Sequence, residues 1–361
     1  MKRKISIIFG GKSAEHEVSL NSASNIFNAV DLERFDPLLL GVDKAGQWCY
    51  NPDYPSEHID LRKLDYYPNS RPVTLRNRHG QINIIDQESN KVLDNFEVAF
   101  SIIHGTFGED GVIQGFFKSQ DIPFVGPDVL GSSICMDKDI TKRLLRDSGI
   151  PIADFITVYR ENQADINYEE AKNQLGLPLF IKPCNAGSSV GVSKVTDEGS
   201  FQQALSEAFR FDRKVLIEEA IVGQELECAV LGNENPQPSI IGEIAATKEF
   251  YTYDAKYVDA DGAKLIIPAR IEENDSDKLR KGAVAAYKAT CCEGLARVDF
   301  FLRSDGSYVV NEINTIPGFT EISMYPKLWE QTGISYSDLI TKLIDLAVER
   351  HERNSRFETM M

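Results

Sequence analysis

The apolar positions of this chain fall into short continuous runs that alternate with stretches of helical spacing. Residues 5–9 form a buried-strand run that Gly10-Gly11 breaks, and residues 13–29 then carry Val18, Leu20, Ala23, Ile26 and Phe27 one helical turn apart. Strand, glycine turn and helix in that order open a doubly wound parallel α/β sheet, whose ligands gather at the carboxyl ends of the strands. Residues 37–42, 98–103 and 122–126 supply three more strands of the same kind. Residues 49–95 mix Pro, Tyr, Asn and charge with only brief alternating pieces, and read as an elaboration of this first domain.

The pattern then changes. Residues 137–149 predict a helix that ends at Gly149, with Pro151 just beyond. Residues 177–183 predict a strand, Gly187-Ser188-Ser189-Val190-Gly191 a loop, and the chain continues as a strand to Val195. A helix over 200–209 and strands over 215–219, 225–231 and 239–246 give an antiparallel α+β pattern. Residues 248–264 are polar and Tyr-rich, a loop over a site. Helices follow over 276–290 and 335–350. Between them, two apolar runs flank Ser304-Asp305-Gly306, a hairpin signal.

Composition narrows the classes. A length of 361 residues suits two or three domains around one cleft. A net charge of −16 argues against a nucleic acid or an anionic membrane as partner, yet leaves room for a nucleotide held by a local basic cluster. Six cysteines without CxxC or Cys/His spacing read as buried thiols in a reducing compartment. The first apolar run is too short for a signal-peptide core, and no segment reaches the roughly 20 apolar residues of a membrane span. The expectation is a cytoplasmic protein.

Chemistry concentrates in the 297–319 hairpin. Side chains alternate faces along a strand, so Glu312 and Asn314 share a face while Ile313 turns to the core, and cross-strand pairing can bring Asp299 alongside. Two carboxylates and an amide carbonyl make an oxygen site that Mg²⁺ accepts while phosphates complete its shell. The ordinary alternative is a surface hairpin with solvated charges. The glycine loop at 187–191 lies between strands and lacks the Gly-Lys-Ser/Thr ending of a P-loop. It can still donate N–H groups to phosphates, with Lys182 as a point charge, or be a bare turn. Residues 217–221 and Glu225 sit where a strand leaves its sheet, suited to an adenine edge and ribose hydroxyls, or merely solvated. Glu15 puts a carboxylate at a helix start that favours anions, which fits either an amino-acid ligand or ordinary helix capping. The dense glycine and acid loop at 104–111 follows a strand and is a further binding candidate.

Taken in order, these segments resemble the D-alanine–D-alanine ligases of the ATP-grasp superfamily. The matching stretches are GGKSAEHEVSL (10–20), HGTFGEDG (104–111), MDK (136–138), IKPCNAGSSVG (181–191), IEEAIVGQE (217–225), YTYDAKY (251–257), RVDF (297–300) and NEINTIPGFT (311–320). The match runs from about residue 3 to 346; the AEHEVSL turn together with NEINTIPG is its most specific part. The resemblance implies an N-terminal domain over 1–127 and a two-lobed ATP-grasp module over 128–219 and 220–361, with ATP between the lobes. It also implies two Mg²⁺ ions, with Mn²⁺ as an alternative, a homodimer, and D-alanine and ATP as substrates. The family reaction phosphorylates one D-alanine carboxylate; the amine of a second D-alanine then displaces phosphate.

Transferred to matching positions, the resemblance assigns Lys138 and Lys182 to the ATP phosphates beneath the 187–191 loop. Glu218, Glu219, Ile221 and Glu225 go to adenosine, Glu219 through its main chain because some members have lysine there. Asp299, Glu312 and Asn314 become metal ligands. Arg297 and the N–H of Gly318 stabilise the acylphosphate and the oxyanion. Glu15, helped by His104, receives the first ammonium, and Lys256 and Ser323 the second carboxylate. Glu15, Ser188 and Tyr257 match a hydrogen-bonded trio. The proton acceptor stays open between a Ser188–Tyr257 route and the departing phosphate. The intact Tyr257 favours an amino acid over a hydroxy acid as acceptor. Asn185-Ala186 stand where some relatives carry charge, and the 49–95 elaboration exceeds that of the shortest members.

Overall fold

The computed structural model describes residues 2–54, 58–64, 66–78, 81–246 and 263–358. Three sheets follow one another along the chain. The first runs β6-β5-β4-β3-β2-β1-β7. Here β1 (Arg3–Gly10), β2 (Phe35–Val42), β3 (Trp48–Tyr50), β4 (Arg71–Arg78), β5 (Gln81–Asp86), β6 (Val92–Phe96) and β7 (Val98–Ser101) follow in chain order, with helix α1 (His16–Ala29) after β1. The pairs β1·β2 and β1·β7 are parallel, as the opening pattern predicts, whereas β2 through β6 join antiparallel. The elaboration over 49–95 is therefore sheet as well. Short strands rich in polar residues hide that from periodicity.

The strand expected over 122–126 reduces to one parallel bridge, Ala99 to Phe124. Prolines at 123 and 127 remove two ladder donors, so only the Pro123 carbonyl and the Val125 N–H pair with Ala99, at 2.8 and 2.9 Å. Helices α2 (Val112–Ser119), α3 (Val129–Met136) and α4 (Lys138–Asp147) lead on. Asp137 caps α4, accepting from the Ile140 N–H at 3.2 Å.

The second sheet, order β10-β9-β11-β8, contains β8 (Phe155–Tyr159), β9 (Leu179–Pro183), β10 (Ser193–Val195) and β11 (Lys214–Glu219). Helices α5 (Tyr168–Leu175) and α6 (Glu198–Phe211) accompany it. The third sheet, order β14-β13-β12-β15-β16, is antiparallel throughout. Its strands are β12 (Gln224–Gly232), β13 (Gln237–Ala246), β14 (Ala263–Ile266), β15 (Gly294–Leu302) and β16 (Tyr308–Asn314). Helix α7 (Glu273–Ala289) packs on it, and α8 (Met324–Thr332) and α9 (Tyr336–Asn354) close the chain.

Packing links the first and third sheets. One apolar cluster joins Ile5, Phe9, Leu20 and Ile26 to Phe319, Tyr325, Leu339 and Leu343. Arg350 of α9 is buried and donates to the carbonyls of Gly126 and Phe124, the latter at 2.7 Å, which ties the last helix to the first domain. The second sheet keeps a core of its own, built from Val158, Ile181, Phe201, Leu205 and Ile217. Five cysteines are buried as expected, but Cys291 is exposed in the turn after α7. Among the described residues no helix is long and apolar enough to cross a membrane.

Candidate active site

A cavity of about 440 Å³ opens between the second and third sheets. Strand parity decides what enters it. Phe180 pairs with Glu218 and Lys182 with Leu216 across β9·β11, so Phe180, Lys182 and Glu218 share a face. The Lys182 ammonium donates to Glu218 at 2.8 Å. Lys138, at the start of α4, reaches the same cavity and donates to the Ala186 carbonyl at 2.6 Å. Burial chiefly holds the Lys138 ammonium below the usual lysine range, which marks it as a cation poorly served by solvent.

The glycine loop lies between β9 and β10, as expected, and it lines the cavity with Gly187, Ser188 and Ser189. Ser188 and Ser189 both take left-handed backbone, φ 49° and 60°. Such φ values are uncommon for non-glycine residues and successive N–H groups there form concave anion sites. The Ser188 hydroxyl donates to the Glu15 carboxylate, 173 residues away. Glu15 stands at the N-cap of α1 but its side chain makes no capping bond, so the capping alternative gives way to a contact with the glycine loop.

The adenosine candidates Glu218, Glu219, Ile221 and Glu225 all line the cavity. The Glu219 carboxylate turns away, accepting from the Asp154 N–H at 2.9 Å and lying 3.6 Å from Arg303. The carboxylate of Glu219 is thereby engaged by protein groups.

On the third sheet, Glu227, Asp299 and Glu312 are successive register partners across β12, β15 and β16. Like charges directly opposite destabilise a sheet unless a cation intervenes. Arg297 intervenes: its Nε and Nη2 donate to the two Asp299 oxygens at 2.7 Å each, and Nε lies 2.9 Å from Glu227. Burial pushes the Arg297 guanidinium down, but Asp299, Glu227 and Glu312 outweigh it and raise it well above its ordinary value. Asn314 is the partner of Arg297 and donates to Asp299 at 2.8 Å. Two carboxylates and one amide on a single face match the donor chemistry of a hard divalent cation. Among the described residues no cluster of three or more His, Cys, Asp or Glu is arranged for a metal, so any ion here depends on this mixed set.

The remaining candidates meet at the far end. The loop after β16 packs on α1: the Phe319 N–H donates to Ser22 Oγ at 3.3 Å, and His104 Nδ1 lies 3.0 Å from the Ile316 carbonyl. A Cβ on Gly318 would come within 2.7 Å of Ser323 Oγ, so the chain passes close to that hydroxyl and a side chain there would make it turn aside. Glu15, His104 and Asp299 contact the lining residues Ser188, Glu109 and Asn314, Arg297 reaches them through Asp299, and Gly318 and Ser323 are not among the lining residues. Lys256 and Tyr257 lie outside the described residues.

Three charged groups went unassigned in the sequence reading. Glu227 shares strand parity with Glu225, a signal that was present. Glu109, from the 104–111 loop, lines the cavity 3.6 Å from His104; burial raises its carboxyl and the neighbouring Glu15 adds to this. Burial also presses on the His104 imidazolium, but Glu109 outweighs it and the group is raised overall. Lys142 lies one helical turn beyond Lys138 and is buried against Glu218.

A cavity between two β lobes, floored by lysines and ending in a carboxylate–amide set, is the arrangement of an ATP-grasp enzyme. Comparison with known proteins narrows the class. Residues 4–127 match the family description "D-ala D-ala ligase N-terminus" and residues 144–345 match "D-ala D-ala ligase C-terminus". D-alanine–D-alanine ligase A of Escherichia coli is 52% identical over 368 residues, with 100% of both chains covered. A D-alanine–D-alanine ligase of Shouchella clausii is 52% identical, covering 99% of this chain and 98% of that one. The solved D-alanine-D-alanine ligase of Coxiella burnetii superposes with a TM-score of 0.87 at 35% identity, covering 98% and 96%. The VanG D-Ala:D-Ser ligase of Enterococcus faecalis gives 0.85 at 36% identity, covering 96% and 100%. The chain belongs to the D-alanine–D-alanine ligase family and is an ATP-dependent ligase of that family.

Proposed function

We propose that this enzyme joins two D-alanine molecules to D-alanyl-D-alanine through a D-alanyl phosphate, releasing ADP and phosphate, for peptidoglycan precursor synthesis. The observation that carries the reading is the Ser188–Glu15 contact beside a lysine-floored cavity: a carboxylate suited to an amino acid's ammonium touches a loop suited to phosphates. Lys138 and Lys182 hold the ATP phosphates, with adenosine against Glu218, the Glu219 and Ile221 main chain, and Glu225. Asp299, Glu312 and Asn314 hold two Mg²⁺ or Mn²⁺ ions, and the bound ions neutralise the charge that builds up on the phosphates. Glu15 and His104 orient the first D-alanine.

A carboxylate is a poor acyl donor, so phosphoryl transfer to it supplies a leaving group. That transfer is mainly a matter of positioning and charge. Arg297 and the Gly318 N–H stabilise the acylphosphate and then the tetrahedral oxyanion. Lys256 and Ser323 receive the second carboxylate, with Tyr257 in the trio with Glu15 and Ser188. The work is divided among residues 1–127, 128–219 and 220–361, in a cytoplasmic homodimer.

The likeness to a D-Ala:D-Ser ligase makes D-serine the acceptor to test beside D-alanine. Phosphate release from Mg-ATP is measured with D-alanine, with L-alanine, and with D-alanine plus D-serine or D-lactate. Release that needs D-alanine alone and yields the dipeptide is expected. A strict need for a different acceptor would overturn the substrate pair.

A further inference from the structure

Glu218 is held by two lysines, and only one of them faces the cavity. Its Oε1 accepts from Lys182 at 2.8 Å, and its Oε2 touches Lys142 Nζ at 2.8 Å from the opposite side. Lys142 is 1% exposed and lies outside the cavity lining, on the α4 face it shares with Lys138. The second contact is a charge contact without an aligned hydrogen bond, and both of its atoms are sealed from solvent. Besides Glu218, the Phe155 ring lies 5.9 Å from Lys142 Nζ.

A buried ammonium costs several kcal/mol unless a charge partner repays it. A packing role alone would be met by an apolar side chain of the same length. The arrangement has a different logic once a nucleotide enters. Lys182 then faces phosphates and its hold on Glu218 weakens. Glu218 would be left as a buried, unbalanced carboxylate if no second cation stood behind it. Burial pushes the Glu218 carboxyl up, but Lys142 and then Lys182 outweigh this and hold it below the usual range.

Resting on the nucleotide-site reading above, we propose that Lys142 is a positioning residue for nucleotide binding: it is the resident counter-ion of Glu218 that frees Lys182 to move from that carboxylate to the phosphates. Without Lys142, Lys182 stays committed to Glu218 and nucleotide affinity falls. With Glu218 neutral, Lys142 has no task and its loss adds nothing.

The test is ADP binding by calorimetry on the full chain, together with ATP-dependent turnover, for wild type, K142M, K142R, E218Q and K142M/E218Q. K142M is expected to weaken ADP binding 10-fold or more and raise KM for ATP in parallel, while kcat at saturating ATP stays within threefold. K142R recovers most of the affinity. The double variant binds ADP as E218Q does, within twofold. K142M that is folded and binds ADP as wild type does overturns the proposal, as does a double variant whose losses simply multiply. If K142M fails to fold, a folded double variant with the affinity of E218Q supports the counter-ion role. An unfolded double variant shows Lys142 to be a packing element and overturns it. Wild-type protein that does not bind ADP sinks the nucleotide-site reading itself, a separate and recognisable failure.

Discussion

Replacing Arg297 by methionine tests the charge ladder on the third sheet. Glu227, Asp299 and Glu312 face one another across adjacent strands, and Arg297 contacts the first two at 2.9 and 2.7 Å. The three groups of that network are largely shielded, with side-chain exposures of 17%, 7% and 7% for Arg297, Glu227 and Asp299. Removing one partner from a buried ionic network costs about 3–5 kcal/mol, because the remaining charges stay buried and unpaired. A chain of this size loses about 2 °C of melting temperature per kcal/mol, so Tm should fall by about 6–10 °C. Millimolar Mg²⁺ should recover part of that loss in R297M, since a divalent cation answers the same carboxylates, and chelator should abolish the recovery. R297K should lie between, as a point charge cannot bond both Asp299 oxygens at once. The assay is thermal unfolding by circular dichroism with and without Mg²⁺. An R297M melt within about 1 °C of wild type would refute the argument: the ladder would then be relaxed by water, and Arg297 would not be its keystone.

Three further outcomes follow from other contacts. Glu312→Gln should leave the circular dichroism spectrum and melting curve near wild type while lowering kcat about 10²-fold or more, since the metal set loses one of its two charges; normal phosphate release would remove Glu312 from that set. Ser188→Ala deletes a hydrogen bond to a carboxylate, a contact worth about 1.5–3 kcal/mol, so kcat/KM for D-alanine should drop about 10-fold or more with ADP affinity little changed; equal losses for both ligands would show that the loop, not the contact, was damaged. The His104–Glu109 pair sets a pH dependence. The His104 imidazolium is raised, so its stabilisation is complete below its ordinary value near 6.5 and is lost as pH rises through the raised one; the raised Glu109 carboxyl acts in the same direction. Wild-type stability should therefore decline as pH rises, from about 4.5 through Glu109 and from about 6.5 through His104, and Glu109→Gln should flatten that slope; an unchanged slope would assign it to other groups.

Legibility in the sequence followed strand parity. Alternation alone set Glu312 and Asn314 on one face and allowed Asp299 to join them, and the register bears this out. The lysine at 182 was legible as a cation at a strand end, but its bond to Glu218 depends on β9·β11 pairing that no local pattern encodes. Lys142 was hidden because a helix with Lys138, Arg143 and Arg146 on it reads as an exposed basic surface, and only the fold reveals which cation is covered. The role of Glu15 needed the fold too: local rules left helix capping and an amino-acid ligand both open, and its partner Ser188 comes from a different sheet. The roles taken over from the family resemblance had no local signal at Gly318 or Ser323; their closeness comes from the turn after β16, which no periodicity describes.

The packing also says which parts of the site are fixed together. Glu15, His104, Gly318 and Ser323 ride on elements that share one apolar cluster, spanning β1, α1, α8 and α9, and Arg350 fastens that union. Lys182, Ser188 and Glu218 ride on a sheet whose core is separate. Interiors are close-packed and transmit displacement rigidly, so relative motion is cheapest where two cores meet and apolar contact is least continuous. The boundary runs through the cavity. On one side lie Glu15, His104, Gly318 and Ser323, on the other Lys182, Ser188 and Glu218, while Glu225 belongs to β12 of the third sheet. The Ser188–Glu15 bond crosses it, so a loop that rides on the separate core is tied directly to a group that rides on the shared one.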